Sequence, residues 1–447
     1  MYRLLFRQFV RTKTCQIGLA LVLLLGGISI ITGKQFLINQ AKIADQVVEK
    51  QLTHIERNID LHGDDLPLLL YYLKFTLVHA THPLSGFSIG QRDLNPSVQS
   101  VTILTLEGQK YDTDLVNPTK LLYGNLDLSF IIVYVFPLLI IAFTYNLFSE
   151  EEESGTWKLV NVMAKSTLAF LVAKLSVRFV LLALVMILLL VVGALVLGIS
   201  FDGALLLFVM TSLLYLTFWF ALCFWLICLK RNSNFNALAL LSIWLVLVVL
   251  LPAFINSYIT TKHPVPEALS TMIKQRDGTH KKWDSNKKET LEAFYKDYPQ
   301  FASFGFPPEK GFDWGWYYAM QHLGDVESRE DSQAMQQKIR LREEMSKQWA
   351  QVIPSMHTQL ALNNIAGTGL LDHMDFLSHT NEFHEQTRLY FYPKIFSDKD
   401  PESVEWDRFK PEYFQVNGKM EWIATLFPLV LSIVFFMGLS FVQIRKK

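Results

Sequence analysis

FVLLALVMILLLVVGALVLGI, residues 179–199, runs its whole length without a charge. A membrane crossing needs roughly 20 mainly apolar residues, so this stretch reads as a transmembrane helix. Working outward from it, five more segments meet the same test, at 16–36, 128–148, 205–229, 235–258 and 422–443. Half of the 447 residues are hydrophobic and only 18% are charged, and the mean hydropathy is positive. That balance fits an integral membrane protein better than a soluble enzyme. The first segment is longer than a signal-peptide core and has no small-x-small cleavage site before the polar residues that follow Lys34, so it reads as a retained span. The expected fold class is mainly α, a polytopic six-span transmembrane helix bundle.

Lys and Arg in the short loops set the expected orientation. Arg3, Arg7, Arg11 and Lys13 precede the first span, and Lys158, Lys165, Lys174 and Arg178 lie between the second and third. Lys230 and Arg231 separate the fourth and fifth, and Arg445, Lys446 and Lys447 follow the sixth; Ser200–Gly203, on the other side, has no basic residue. Both termini are therefore expected in the cytoplasm, with regions 37–127 and 259–421 outside it. Residues 1–14 read as an amphipathic interfacial helix. Arg3, Arg7 and Arg11 recur at i, i+4 and i+8, while Leu5, Phe6, Phe9 and Val10 occupy another face, suited to anionic headgroups of the bilayer.

The outer regions hold no cysteine, because Cys15, Cys223 and Cys228 all lie in or beside spans. Packing without disulfides must hold these regions together. They read as mainly helical with a little strand. Asn39–His62 is a polar helical stretch, and Val98–Gly108 alternates like an edge strand. In the second region, long enough to be a domain of its own, a charged helix is expected from Asp325 to Val352. Another is expected from Gly369 to Tyr392, ending before Pro393. Eleven aromatics crowd residues 294–318. Core packing is the plain reading of that run, and a surface for a partner or substrate at Phe304, Phe306, Trp314 and Trp316 is the sharper one.

Nucleotide-loop and zinc-peptidase signatures are missing. There is no GxxxxGK[ST] phosphate loop and no HExxH helix. The chain is expected to be no enzyme itself and to bind no cofactor. All eleven histidines fall in the outer regions; His357, His373, His379 and His384, with Asp372, Asp375 and Glu382, match no compact metal-ligand spacing, and no metal is expected. The basic residues are used for topology, so no nucleic-acid partner is expected either.

FSEEEESGTWKLV, residues 148–160, puts Glu150, Glu151, Glu152 and Glu153 directly after the second span. If a helix begins near Ser154, acids ahead of it face its positive end, worth about 0.3–1 kcal/mol each, and Ser154 caps it. Two acids suffice for that role and four repel one another, so the surplus points to a surface for a protein partner.

The run EEEESGTWKLVNVMAKSTLAFLVAK resembles the cytoplasmic signature of type-2 ABC transporter permeases: Glu151 and Glu153 as the acids, Gly155-Thr156 as the pair, then Ser166 and Lys174. Asn117–Asn146 and Ala361–Arg388 resemble the branch of that family with two large extracytoplasmic regions. The resemblance implies a membrane-spanning subunit without its own motor, in the inner membrane of a bacterium. Its segment 149–178 would be a coupling segment docked on a separate nucleotide-binding ATPase, which uses ATP and magnesium. On that reading Glu150–Glu153, Gly155 and Thr156 position the segment. Trp157, Leu159 and Val160 anchor it in the ATPase groove, and Lys174 and Arg178 steady the third span. A second permease chain, identical or related, completes a dimer, and the direction is export or extraction. The alternative is a mechanotransmitting, sensor or scaffold membrane protein whose outer domain engages a periplasmic partner.

Overall fold

The computed structural model describes residues 2–110, 124–155, 167–415 and 420–445. The chain is mainly helical. Among the described residues, six helices are long and apolar enough to cross a membrane: Lys13–His62, Leu128–Glu153, Leu168–Leu197, Gly203–Ile227, Ser233–Lys262 and Trp422–Arg445. Each overlaps one segment expected from the sequence, and they are numbered first to sixth below. The third begins well before residue 179, so Lys174 and Arg178 belong to it and not to a separate loop. Side-chain caps fix several starts. Thr12 accepts from the Cys15 amide, Asp202 from Ala204 and Leu205, and Asn232 from Phe235.

The second and fourth helices are the most enclosed, with two thirds of their apolar windows buried against 17% for the fifth and sixth. They form the centre of the bundle, where Tyr215, Phe218 and Trp219 pack on Ile131, Ile132 and Phe136. Two π-helical turns, Ile131–Val135 and Val246–Leu250, stand just before Pro137 and Pro252. A proline has no N–H for the carbonyl one turn back, and neighbours supply donors near each break. The Tyr215 hydroxyl donates to the Val133 carbonyl at 3.0 Å, and the Ser355 hydroxyl donates to that of Leu247.

The first helix has 50 residues, about 75 Å at 1.5 Å per residue, where a bilayer core needs only about 30 Å. The polar stretch expected after the first span is its unbroken continuation. Gln51, Ile55 and Asn58 on that continuation are buried in the folded domain. Lower down, Gly33 lets the helix touch backbone: a Cβ there would lie 2.0 Å from the Gly86 carbonyl oxygen, in the turn Pro83–Gly86.

The two long polar regions fold as one domain rather than two. Strand β1 (Phe75–His79) pairs antiparallel with β2 (Val98–Val101) and parallel with β3 (Glu412–Phe414), giving the order β2-β1-β3. Leu66, Leu69, Leu70, Phe75 and Ile103 from the first region share a core with Phe294, Tyr298, Tyr318, Phe391 and Tyr392 from the second. A buried polar clasp reinforces the join. Arg388 pairs with Asp325 at 2.8 Å and donates to the carbonyls of Ile103 and Leu104, while Asp325 accepts from the Leu106 amide.

Two helix boundaries differ from expectation. The charged helix starts at Trp314 and runs to Ala350, because Asp313 caps it by accepting from the Trp316 amide at 2.7 Å. The helix Leu370–Phe396 passes through Pro393 and gains a further turn. Phe396 holds that turn by stacking with Phe294, Phe301 and Phe304. Val98–Gly108 contributes β2 and then a helical turn, Glu107–Lys110.

Candidate functional site

The acidic run is the last described helical turn of the second helix, Ser149–Glu153. Ser154 is its C-cap, and Gly155 closes it at φ +73° with its amide on the Glu152 carbonyl. The helix expected to begin near Ser154 falls on residues outside the described ones; within the described turn the acids sit at a C-terminal end, where the dipole disfavours them, so other partners must hold them. Thr156, Trp157, Leu159, Val160 and Ser166 lie outside the described residues.

Those partners come from distant parts of the chain. Glu151 Oε1 meets Lys174 Nζ at 2.6 Å, and both side chains are largely buried. Lys174 Nζ also sits 5.0 Å from the Phe170 ring centroid. Glu153 accepts from the Ser233 amide at 2.9 Å and from its hydroxyl at 3.0 Å. An acid thus lies at the N-terminus of the fifth helix, the end where charge complements the dipole. Ser149 and Ser233 share a hydroxyl hydrogen bond of 2.6 Å, and Asn236 donates to the Tyr145 carbonyl. The acidic turn therefore ties the second helix to the third and the fifth. Glu150 and Glu152 stay exposed.

One turn beyond Lys174, Arg178 is 8% exposed and its guanidinium lies 4.8 Å from the Phe9 ring. Phe9 ends the N-terminal helix Tyr2–Val10, whose Leu5 is buried against Ala173 and Val177. Arg3, Arg7 and Arg11 stay exposed. The resemblance implies that Lys174 and Arg178 steady the third span. The structure brings them together with Glu151 and Phe9.

The aromatic run is mostly core. Trp316 is buried, Trp314 is half-buried with its indole N–H on Asp65 at 3.3 Å, and Phe304 and Phe306 are exposed. Ser233, Phe9 and Phe170 complete the acidic site without any local signal in sequence that marks them. The histidines are separately engaged. His357 contacts the Thr425 carbonyl at 2.7 Å and His379 meets Glu412 at 2.9 Å, while His384 is buried and burial pushes it well below the usual imidazole range. Among the described residues no group of three or more His, Cys, Asp or Glu could hold a metal ion.

A family described as "Domain of unknown function (DUF3526)" matches residues 269–415. The match covers most of the helical part of the folded domain and β3, and leaves β1, β2 and all six apolar helices outside it. Neither a curated protein nor a solved structure matches the chain.

Proposed function

We propose that the chain is the membrane-spanning permease subunit of a bacterial ABC transporter, lying in the inner membrane as half of a dimer. The acidic turn receives a separate ATPase subunit, and ATP hydrolysis there drives export or extraction of a substrate. One observation carries this reading. The turn Ser149–Glu153 is fastened to the third helix through Glu151–Lys174 and to the fifth through Glu153–Ser233, with Glu150 and Glu152 left exposed. A push on that turn would move three apolar helices together, which is what a coupling element needs.

Co-purification with an ATPase subunit encoded beside this chain tests it. Glu150→Ala with Glu152→Ala should cut the ATPase recovered and the coupled hydrolysis by roughly tenfold or more, as loss of charge-assisted contacts does. Unchanged recovery in a folded double variant would remove the proposal. A mechanotransmitting role toward a periplasmic partner is the second reading, favoured by the unbroken 50-residue first helix that enters the folded domain. It predicts ATP-dependent movement of the domain without a transported substrate.

A further inference from the structure

The third and fourth helices part near the turn that joins them. They leave a groove of about 470 Å³ lined by Ile187, Leu190 and Val191 on one wall and Leu205, Leu206 and Val209 on the other. That volume lies within the ~300–1,000 Å³ of ligand sites. Phe201, Asp202 and Gly203 close one end. The turn is tight, with Gly198 at φ +67°, and it joins two membrane-length helices, so the closed end lies at the edge of the apolar bundle. Asp202 is the one charged residue between Gly198 and Gly203. It is exposed; Oδ1 receives the Ala204 and Leu205 amides at 3.0 and 3.1 Å, and Oδ2 remains for a ligand. Aromatic residues lie beside its chain neighbours. Phe201 is 69% exposed, and a Cβ at Gly203 would lie 3.9 Å from the Trp422 ring.

We infer that this groove binds one alkyl chain of an amphiphile whose amine headgroup pairs with Asp202. An apolar wall cannot by itself select a ligand inside a bilayer, because lipid tails are just as apolar. Selection must come from the polar end. There the carboxylate of Asp202, beside the exposed Phe201, favours an ammonium group over an anion. The role given to this site rests on the permease reading: an amine-bearing amphiphile entering sideways from the membrane is the class of cargo it would accept.

The test uses the full chain in phosphatidylcholine nanodiscs and two photoactivatable probes of equal length, an alkylamine and an alkyl sulfonate. The amine should label the segment 187–209, and the sulfonate should label it weakly. Asp202→Asn keeps the helix cap but removes the charge, and should lower amine labelling roughly tenfold while leaving the sulfonate unchanged. Leu206→Trp, which fills the groove, should abolish amine labelling. Equal labelling by both probes, labelling spread over all exposed apolar helices, or no response to Asp202→Asn overturns the inference. ATPase recovery from the same preparations separates the two ideas: lost selectivity with retained ATPase removes only this one.

Discussion

Glu153 has a task in this fold that its neighbours do not share. It lies at the end of one helix and supplies acceptors to the first residue of another, Ser233. Replacing it with alanine should cost about 0.5–1 kcal/mol through the lost cap and dipole contact, read as a lower melting temperature in detergent. Lys174→Met should cost more, about 1–3 kcal/mol, because it leaves the Glu151 carboxylate without its cation in a site largely closed to water. Restoring the charge with Lys174→Arg should recover part of that loss. None of this pairing was legible in the run EEEE. A row of acids before Ser-Gly has the local look of a helix start. The partners that hold Glu151 and Glu153, Lys174 and Ser233, stand on other helices, and only the fold brings them near.

At the level of elements, legibility followed the length of the signal. An apolar run of some twenty residues has one stable environment, and all six such runs became helices of that kind. The N-terminal amphipathic helix was equally plain, ending at Val10 where Thr12 starts the next. Strand β1 was not visible, because FTLVH is buried at every position and shows no alternation. The start at Trp314 was hidden because aromatics obscure helical periodicity and the deciding signal is one cap, Asp313. Close contact between elements gives a sharper prediction. Gly33→Val would drive side-chain carbon into the Gly86 carbonyl and separate the first helix from the turn Pro83–Gly86. The expected loss is about 1–3 kcal/mol, seen as reduced folded yield, whereas Gly27→Val, which meets nothing within 4 Å, should be neutral.

For the whole molecule, the shared core of the two polar regions sets a pH response. Burial lowers His79 to about 2, His322 and His373 to about 4, and His384 well below the ordinary value of 6.5. The unfolded chain therefore binds more protons than the folded one below about pH 6.5, and stability falls as pH falls through that window. Asp325, raised by burial, and Asp372, raised to about 6, act in the opposite sense between their ordinary range and the raised one. His357 is lowered as well and Asp127 and Glu343 are raised; the ordinary imidazole value lies inside the pH 5–7 window and the ordinary carboxylate values lie below it, so the net effect there is loss toward acid. Melting of the full chain should occur earlier at pH 5 than at pH 7, and His384→Gln should flatten the difference. The joining of regions 37–127 and 259–421 was not legible in sequence, since the register Leu77↔Glu412 brings together residues from opposite ends of the chain.

The first helix is gripped twice, by the Pro83–Gly86 turn at Gly33 and by the domain at Gln51, whose side chain donates to the Phe409 carbonyl. Between those grips the helix is continuous, so its angular phase is conserved from one to the other. A rotation of this helix about its own axis must arrive at β1 undiminished, which makes it an axle as well as a strut. One residue inserted between Gly33 and Gln51 would turn the upper grip by roughly 100°. The chain can tolerate changes of side chain along that stretch far better than a change in its count.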